Sequence, residues 1–534
     1  MTIIKEHQIN KNSFLECEIL IIGSGMSGQV LASKLSNKKI IMIESGKIKY
    51  DKNNQLLNEI TEVGITSRKN NQSRIRQLGG SANLWANQLM TLDENEISER
   101  DWVNKNFSWP FNYHEIIKYY KESINLIYNN NFKDINYFDQ DLEKNRNSFL
   151  ENEILKEKVF NFNNHFWPSK VEKFNHNSKF AKKIINSNNL KFLENFTATE
   201  FQINDESQTI ENIKVQSTNR TCTIKAQIYV LSCGAIENAR ILLNNEKNSK
   251  IFKNQNIGKY FMDHPRICLG ILKSKQKISL SNLLGIKYKN YDFRKSVSLS
   301  KIYQRKKKIL SAYAFLDPKY KNDDEIMFEN FLYELKKLIK FKGLPKINYK
   351  NIKIKELFEQ IYLKLSPQIS NSNLNNFIRT FFEKKNYYLS FDEMYVNYQA
   401  EQFPNFNSKI YLSDKKDQYN QQKAIIDWQL NEIDYKTHNE FSLVLKDKFK
   451  SNTFLEFNEY EKKIITDANH HSGTTRMSLD REDGVVDKNC KFHDIKNLFI
   501  SGNSVFRSSG CVNPGLTNSA MSIRLGQHLQ RILK

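Results

Sequence analysis

The sequence predicts an α/β protein of two domains, one of them built on parallel strands, and three observations carry that expectation. A chain of 534 residues exceeds what one hydrophobic core ordinarily supports. Residues 17–46, CEILIIGSGMSGQVLASKLSNKKIIMIESG, run from a short apolar stretch through a glycine turn and a helical stretch into a second apolar stretch. Residues 228–243, IYVLSCGAIENARILL, again read as a strand, a glycine bend and a helix.

The first of these segments is a dinucleotide cradle. Ile19 to Ile22 is too brief for a helix and is flanked by glycine, so it reads as a buried strand. Gly23-Ser24-Gly25-Met26-Ser27-Gly28 follows, then a helix carrying Val30, Leu31 and Leu35, then a strand from Ile40 to Ile43 that ends at Glu44. Gly23 permits the tight turn, Gly25 lets the backbone approach a pyrophosphate, and Gly28 lets helix pack on strand. The phosphates then meet the free N–H groups and dipole of a helix N-terminus, and Glu44 is placed to accept from a ribose diol. This motif alone does not separate NAD from FAD.

Composition narrows the class. An apolar share of 39%, with 35 Phe and 24 Tyr, supplies substantial cores and excludes a disordered chain. The net charge of +22 is spread along the whole chain rather than gathered in a patch. It reads as solvated surface, with no nucleic-acid partner expected. Six scattered cysteines form no CxxC pair and read as reduced thiols. No signal pattern opens the chain, and no stretch approaches the roughly 18 apolar residues of a membrane span. The expected location is cytoplasmic, without a transmembrane segment.

Further motifs follow in order: RIRQLGGSANLWANQLM (74–90), NIGKYFMDHP (256–265), EQFPNFNSKIYLS (401–413), HHSGTTRM (470–477), NLFISGNSVF (497–506) and CVNPGLTNSAMSIRLGQHL (511–529). Together with the cradle they resemble the glucose–methanol–choline (GMC) family of FAD-dependent oxidoreductases over nearly the whole chain. The resemblance implies a Rossmann-type FAD-binding domain from discontinuous segments, 12–110, 190–265 and 465–534. It also implies an α+β substrate domain with an antiparallel sheet, 111–189 and 266–464, carrying a helical basic insertion around 301–385. Carried over residue by residue, it implies cofactor contacts from Gly23, Ser24, Gly25, Gly28, Glu44 and Ser45, and from Arg76, Gly79, Gly80 and Ser81. Ala198, Gly234, Gly502, Asn503, Pro514 and Thr517 complete the set. Asn503 departs from the family's acid at that place. Trp85 stands where much of the family has Asn and looks more like the pyranose oxidase and bacterial sugar dehydrogenase branch; with Asn87 it is expected in the substrate pocket. Some members of that branch attach FAD through a histidine just before the tryptophan. Leu84 stands there in this chain, so non-covalent FAD is expected.

The paired histidines decide the chemistry. Neighbours in an extended loop point apart, and no Cys/His/Asp/Glu set at ligand spacing accompanies them, so no metal is expected. No GxSxG elbow supports a serine nucleophile. Oxidising an alcohol removes a proton from O–H and a hydride from carbon, and a neutral imidazole suits the proton. The family's H-x-x-G-T pattern puts the base at His470, with His471 facing away. Asn513 is the expected partner for the substrate oxygen. Asn513-Pro514 also reads as a helix N-cap followed by a first-turn proline.

The expected function is FAD-dependent oxidation of an alcohol on a sugar or polyol, with an unknown electron acceptor and oxidase or dehydrogenase left open. A non-redox flavin lyase and sterol or aliphatic alcohol oxidation are the alternatives. Residues 301–360 hold 15 basic against 8 acidic side chains, and FLYELKKLIK within them is amphipathic. A solvated helical insertion is the simplest reading; a peripheral membrane contact or an acceptor-docking face also fits. Tyr388, Phe391, Tyr395 and Tyr398 read as a strand that faces either a sugar or the core.

Overall fold

The computed structural model describes residues 2–65, 73–85, 88–103, 108–128, 159–167, 174, 178–275, 285–288, 291–318, 393–450, 452–461 and 463–534. Asn87, Tyr388, Phe391 and the amphipathic FLYELKKLIK stretch lie outside these residues.

The α/β class expected from the sequence is the one observed. The first sheet has eight strands, in the order Thr2–Ile4, Leu190–Glu194, Ile40–Glu44, Ser13–Ile22, Thr221–Leu231, Thr209–Gln216, Thr197–Asn204, with Leu498–Ile500 also paired to Thr221–Leu231. Its centre is parallel: Ile19 faces Ile40 and Ile22 faces Ile43, while Ile22 also faces Leu231. Ile19 to Ile22 and Ile40 to Ile43 are all buried, as parallel strands covered on both faces must be, which is why they read as unbroken apolar runs. The first of them begins earlier than the apolar run, at Ser13, because its partly exposed half pairs with Cys222 to Ala226.

The second sheet is antiparallel. Arg266–Ser274 lies between Glu393–Ala400 and Leu455–Glu459, and Ala312–Pro318 and Tyr291–Leu299 extend it. One face packs Met394, Val396 and Tyr398 against Phe441, Leu445 and Phe449 of helix Glu432–Lys450. Tyr398 is therefore a core residue, buried to 1% exposure, and not a platform for a sugar. Of the segment 301–385 the structure describes 301–318, which form the short helix Lys301–Lys307 and the strand Ala312–Pro318; the rest of the expected helical insertion lies outside the described residues. A three-stranded sheet of Lys409–Lys416, Gln422–Trp428 and Thr61–Gly64 bridges the two, seating Ile426 and Trp428 on Ile236 and Ala239 of helix Gly234–Asn245.

Helices Tyr113–Tyr128 and Lys179–Ile185, from the 111–189 segment, bury Ile116, Tyr120, Ile124 and Ile184 in the core of the first sheet. Spacings of three and four along Tyr113–Tyr128 give it the apolar stripe that seats on the C-terminal helix Gly515–Ile532. Among the described residues no helix is long and apolar enough to cross a membrane. All six cysteines are unpaired.

Candidate active site

A cavity of about 540 Å³ opens where the parallel strands of the first sheet end, the place at which doubly wound sheets bind ligands. Strand ends supply its wall at Gly23 to Ser27, Glu44 and Ser45, Ser232 to Glu237, and Gly502 and Asn503. Arg76, Gly80, Ser81, Leu84, Trp85, Ala198, His470, His471, Asn513 and Pro514 also line it. Of the other residues expected to touch a cofactor, Gly28 and Gly79 stand behind the wall, and Thr517 is turned away. The Thr517 hydroxyl lies 3.0 Å from Tyr120 Oη in the helix interface, because the helical turn that aims Asn518 at the cavity aims its neighbour at the core.

The three cradle glycines differ in what surrounds them. Gly23 has φ +103°, and a Cβ there would lie 2.6 Å from Ser232 O. At Gly28 a Cβ would lie 2.1 Å from Gly23 O, so only glycine lets the helix sit this close to the strand. At Gly25, and again at Gly234, a Cβ would meet nothing within 4 Å. Both positions present bare backbone to open space. Glu44 is held beside them, its Oε2 accepting from Ser24 N at 3.1 Å and Ser24 Oγ at 2.7 Å, and its Oε1 from Gly46 N at 2.9 Å.

Arg76 belongs to a buried ion cluster. Glu237 accepts from Arg74 at 2.9 Å, Arg76 at 2.9 Å and Arg240 at 3.1 Å, and Arg240 also holds Asp417 at 3.0 Å. Burial pushes the Glu237 carboxyl up, but the three guanidinium groups outweigh it and hold it well below the usual carboxylate range. The cluster fixes Arg76 Nη1 on Ser45 Oγ at 2.8 Å and so ties the 74–82 segment to the acid-bearing strand.

The histidine loop is held from behind by Asp263. Its carboxylate accepts backbone N–H groups from His264 at 2.6 Å, Ala468 at 3.0 Å and His470 at 3.0 and 3.1 Å. Asn469 takes the left-handed conformation, φ +59°, and Gly473, φ +84°, admits Tyr260 O where a Cβ would lie 2.2 Å away. Thr474 Oγ1 then donates to Ala235 O at 2.7 Å, anchoring the loop on helix Gly234–Asn245. Burial, and then the charges of His264, Arg266 and His471, hold the His470 imidazole well below its ordinary pKa. His471 packs on Phe261 and brings Nε2 to 3.6 Å from Asp263 Oδ2. Burial, then Arg74, pushes its pKa down to about 3. It does not simply face away: it also contributes to the cavity wall. Against the expectation that no Cys/His/Asp/Glu set accompanies the histidines, Asp467 of the same loop and Asp263 from across the fold meet His471, one ligand atom each within 4.8 Å. Burial, and then Asp467, pushes the Asp263 carboxyl up to about 7.

Asn513 is not a helix cap. The helix cap position is Pro514, and the Asn513 amide instead donates to Gln88 Oε1 at 3.0 Å and accepts from Gln399 Nε2 at 3.3 Å. Tertiary partners outcompete the local cap because both glutamines are buried beside it. Trp85 lies against the start of the same helix, 3.2 Å from where a Gly515 Cβ would sit.

The residues present fit FAD. Gly25 and Gly234 leave a backbone-lined cradle that a Cβ would fill. Along the same wall Trp85 Nε1, Asn469 Oδ1, Asn503 Oδ1 and Asn518 Oδ1 are buried without a hydrogen-bond partner among the described residues. Native proteins leave few such atoms unsatisfied, and their concentration here calls for a polar ligand.

Family models described as GMC oxidoreductase match residues 165–266 and 404–522. The chain belongs to the GMC oxidoreductase family. This GMC oxidoreductase superposes on Aspergillus oryzae formate oxidase with a TM-score of 0.56 and 14% identity, over 98% of this chain and 99% of that one. For pyridoxine 4-oxidase from Mesorbium loti the TM-score is 0.53 at 11% identity, over 96% and 99% of the two chains. At these identities the likeness speaks for the fold alone. In sequence it is 40% identical over 70 residues to the fructose dehydrogenase large subunit of Gluconobacter japonicus, 13% of each chain. It is 37% identical over 62 residues to 2-methyl-1,2-propanediol dehydrogenase of Mycolicibacterium austroafricanum, 12% of this chain and 11% of that one. The matched stretches thus span a small part of either relative.

Several residues at the site escaped the sequence reading. Asp263 lies within the quoted NIGKYFMDHP segment and Arg266 directly follows it, and Glu237 and Arg240 form an i,i+3 pair in the GAIENAR helix, a signal open to inspection. Gln88 and Gln399 carry no local signal, since only pairing across the fold brings them to Asn513.

Proposed function

We propose that this GMC oxidoreductase oxidises an alcohol group to a carbonyl, with a small polyol or sugar as substrate and FAD held without a covalent bond. What carries the reading is a part-buried His470, its imidazole held below its ordinary pKa, in the same cavity wall as the Asn513 amide, where the cavity continues into a glycine cradle. FAD, when bound, supplies the acceptor for the hydride that leaves the carbinol carbon. His470 takes the hydroxyl proton. Of its ring nitrogens only Nδ1 is enclosed and unpartnered, which leaves Nε2 to face the substrate. Asn513 has a second Nδ2–H, besides the one given to Gln88, to orient the substrate oxygen. The N-terminus of the 18-residue helix Gly515–Ile532 adjoins the same wall and favours negative charge developing there.

The short matches to proteins named for fructose and 2-methyl-1,2-propanediol support the polyol class. Leu84, half-exposed in the wall, offers no nucleophilic atom for flavin attachment. Acid denaturation and filtration should therefore release all the yellow colour into the filtrate. Flavin retained on the protein would contradict this.

The reaction itself is tested by mixing the protein anaerobically with sugars, polyols, aliphatic alcohols and sterols and following loss of flavin absorbance. Bleaching by a polyol or sugar is expected; conversion of substrate without bleaching would point to lyase chemistry instead. The pH dependence has a definite sign. With its pKa held below the ordinary value near 6.5, His470 stays neutral as pH falls through 6.5. The rate of bleaching should therefore change less than about twofold between pH 8 and 6, with its acid limb lower. An acid limb centred near 6.5 would show that the base is an unperturbed histidine.

A further inference from the structure

Arg266 opens the strand Arg266–Ser274 of the antiparallel sheet and lies in the cavity wall with His470 and Asn513. Its backbone is pinned to Thr466 in both directions, at 2.7 and 2.8 Å. Its Nε donates to Gln399 Oε1 at 2.7 Å, the same glutamine whose Nε2 reaches Asn513 Oδ1. The guanidinium is thus held in register with the amide assigned to the substrate oxygen.

Its charge is not spent on the protein. Arg74, Arg76 and Arg240 in the same wall are each paired with Glu237, and Arg240 also with Asp417, whereas among the described residues no carboxylate pairs with Arg266. The acids of the wall are already engaged: Glu44 holds Ser24 and Gly46, and Glu237 holds three arginines. The charge is felt close by, since after burial it is among the influences that depress His264 and His470.

We propose that Arg266 binds a carboxylate on the substrate, so that the polyol or sugar oxidised is one that carries an acid group, a hydroxy acid whose carbinol lies against His470 and Asn513. This rests on the alcohol-oxidation reading above. A guanidinium half-sheltered from water gains most from a partner that is planar, anionic and able to accept two parallel N–H bonds, which describes a carboxylate. With Nε committed to Gln399, the terminal Nη1 and Nη2 remain to make that fork. A neutral hydroxyl accepts a hydrogen bond but leaves the charge uncompensated. The carboxylate takes no part in the bond changes; it fixes which carbon faces the base.

The test separates binding from turnover. FAD-loaded protein is titrated with propanoate and with propanamide, neither of which carries a carbinol, by the perturbation of flavin absorbance. Propanoate should bind at least about tenfold more tightly, the difference made by one charge-assisted pair. R266Q should bring it to the level of propanamide, and R266K, which keeps the charge but not the fork, should recover part. In turnover, the ratio of kcat/KM for lactate over 1,2-propanediol should fall about 30-fold in R266Q. Equal affinities for propanoate and propanamide in the unaltered protein would overturn the proposal. So would an equal loss on lactate and propanediol, which would make Arg266 a stabiliser of the common transition state. Should R266Q fail to fold, the comparison in the unaltered protein decides alone. A protein that never bleaches with any alcohol would sink the oxidation reading, and the propanoate titration would still decide this one.

Discussion

Replacing His470 with asparagine should leave a yellow, folded protein whose flavin is reduced about 10²- to 10⁴-fold more slowly, the usual worth of a positioned general base. The loop does not depend on the imidazole for its shape. Asp263 holds it through backbone N–H groups of Ala468 and His470, and Gly473 and Thr474 anchor it through Asn503 O and Ala235 O. Asparagine retains polarity in a site where His470 Nδ1 is buried, but at neutral pH it cannot take a proton. Single-turnover bleaching of the anaerobic protein reads the chemical step free of reoxidation. Reduction at the unaltered rate, with flavin bound, would remove His470 from the role, and His471 in the same wall would be the next residue to replace.

The second large effect separates two glycines three residues apart. Gly28→Ala places a Cβ 2.1 Å from Gly23 O and 2.8 Å from Ser232 Oγ. Alanine is favoured over glycine in a helix by about 1 kcal/mol, but here the obstructing atom is backbone, and overpacking of this kind costs about 1–3 kcal/mol or more. The helix must lift from the strand Ser13–Ile22, so thermal unfolding should come earlier even in the flavin-free protein. Gly25→Val behaves differently. Its backbone, φ −66° and ψ −174°, is open to any residue, and a Cβ meets nothing within 4 Å. The flavin-free protein should unfold as before. FAD affinity should fall about 100-fold, equivalent to one or two charge-assisted bonds from backbone N–H groups. If Gly25→Val kept its flavin at full affinity, the cradle would not be where the phosphates lie.

Local chemistry made much of this legible in the chain. The unbroken runs Ile19 to Ile22 and Ile40 to Ile43 announce parallel strands because such strands are buried on both faces, and the spacing of Gly23, Gly25 and Gly28 follows from one turn and one helix start. Tyr398 could not be assigned between pocket and core from alternation alone, since both faces of its strand carry aromatics; helix Glu432–Lys450 decides it. Thr517 turns to the core rather than the cofactor side for a similar reason. A residue near a helix start faces ligand or core according to the angle of the helix, and Tyr120 fixes that angle.

By itself the sequence determined the class of fold, the glycine cradle and the presence of a histidine loop, because each is set by residues near one another in the chain. Only the tertiary structure decided that Asp263 clamps that loop, that Gln88 and Gln399 hold Asn513 away from a helix cap, and that Arg266 enters the cavity without an acidic partner among the described residues. These contacts join segments more than a hundred residues apart in sequence. Their energy comes from burial and pairing, which no local pattern encodes.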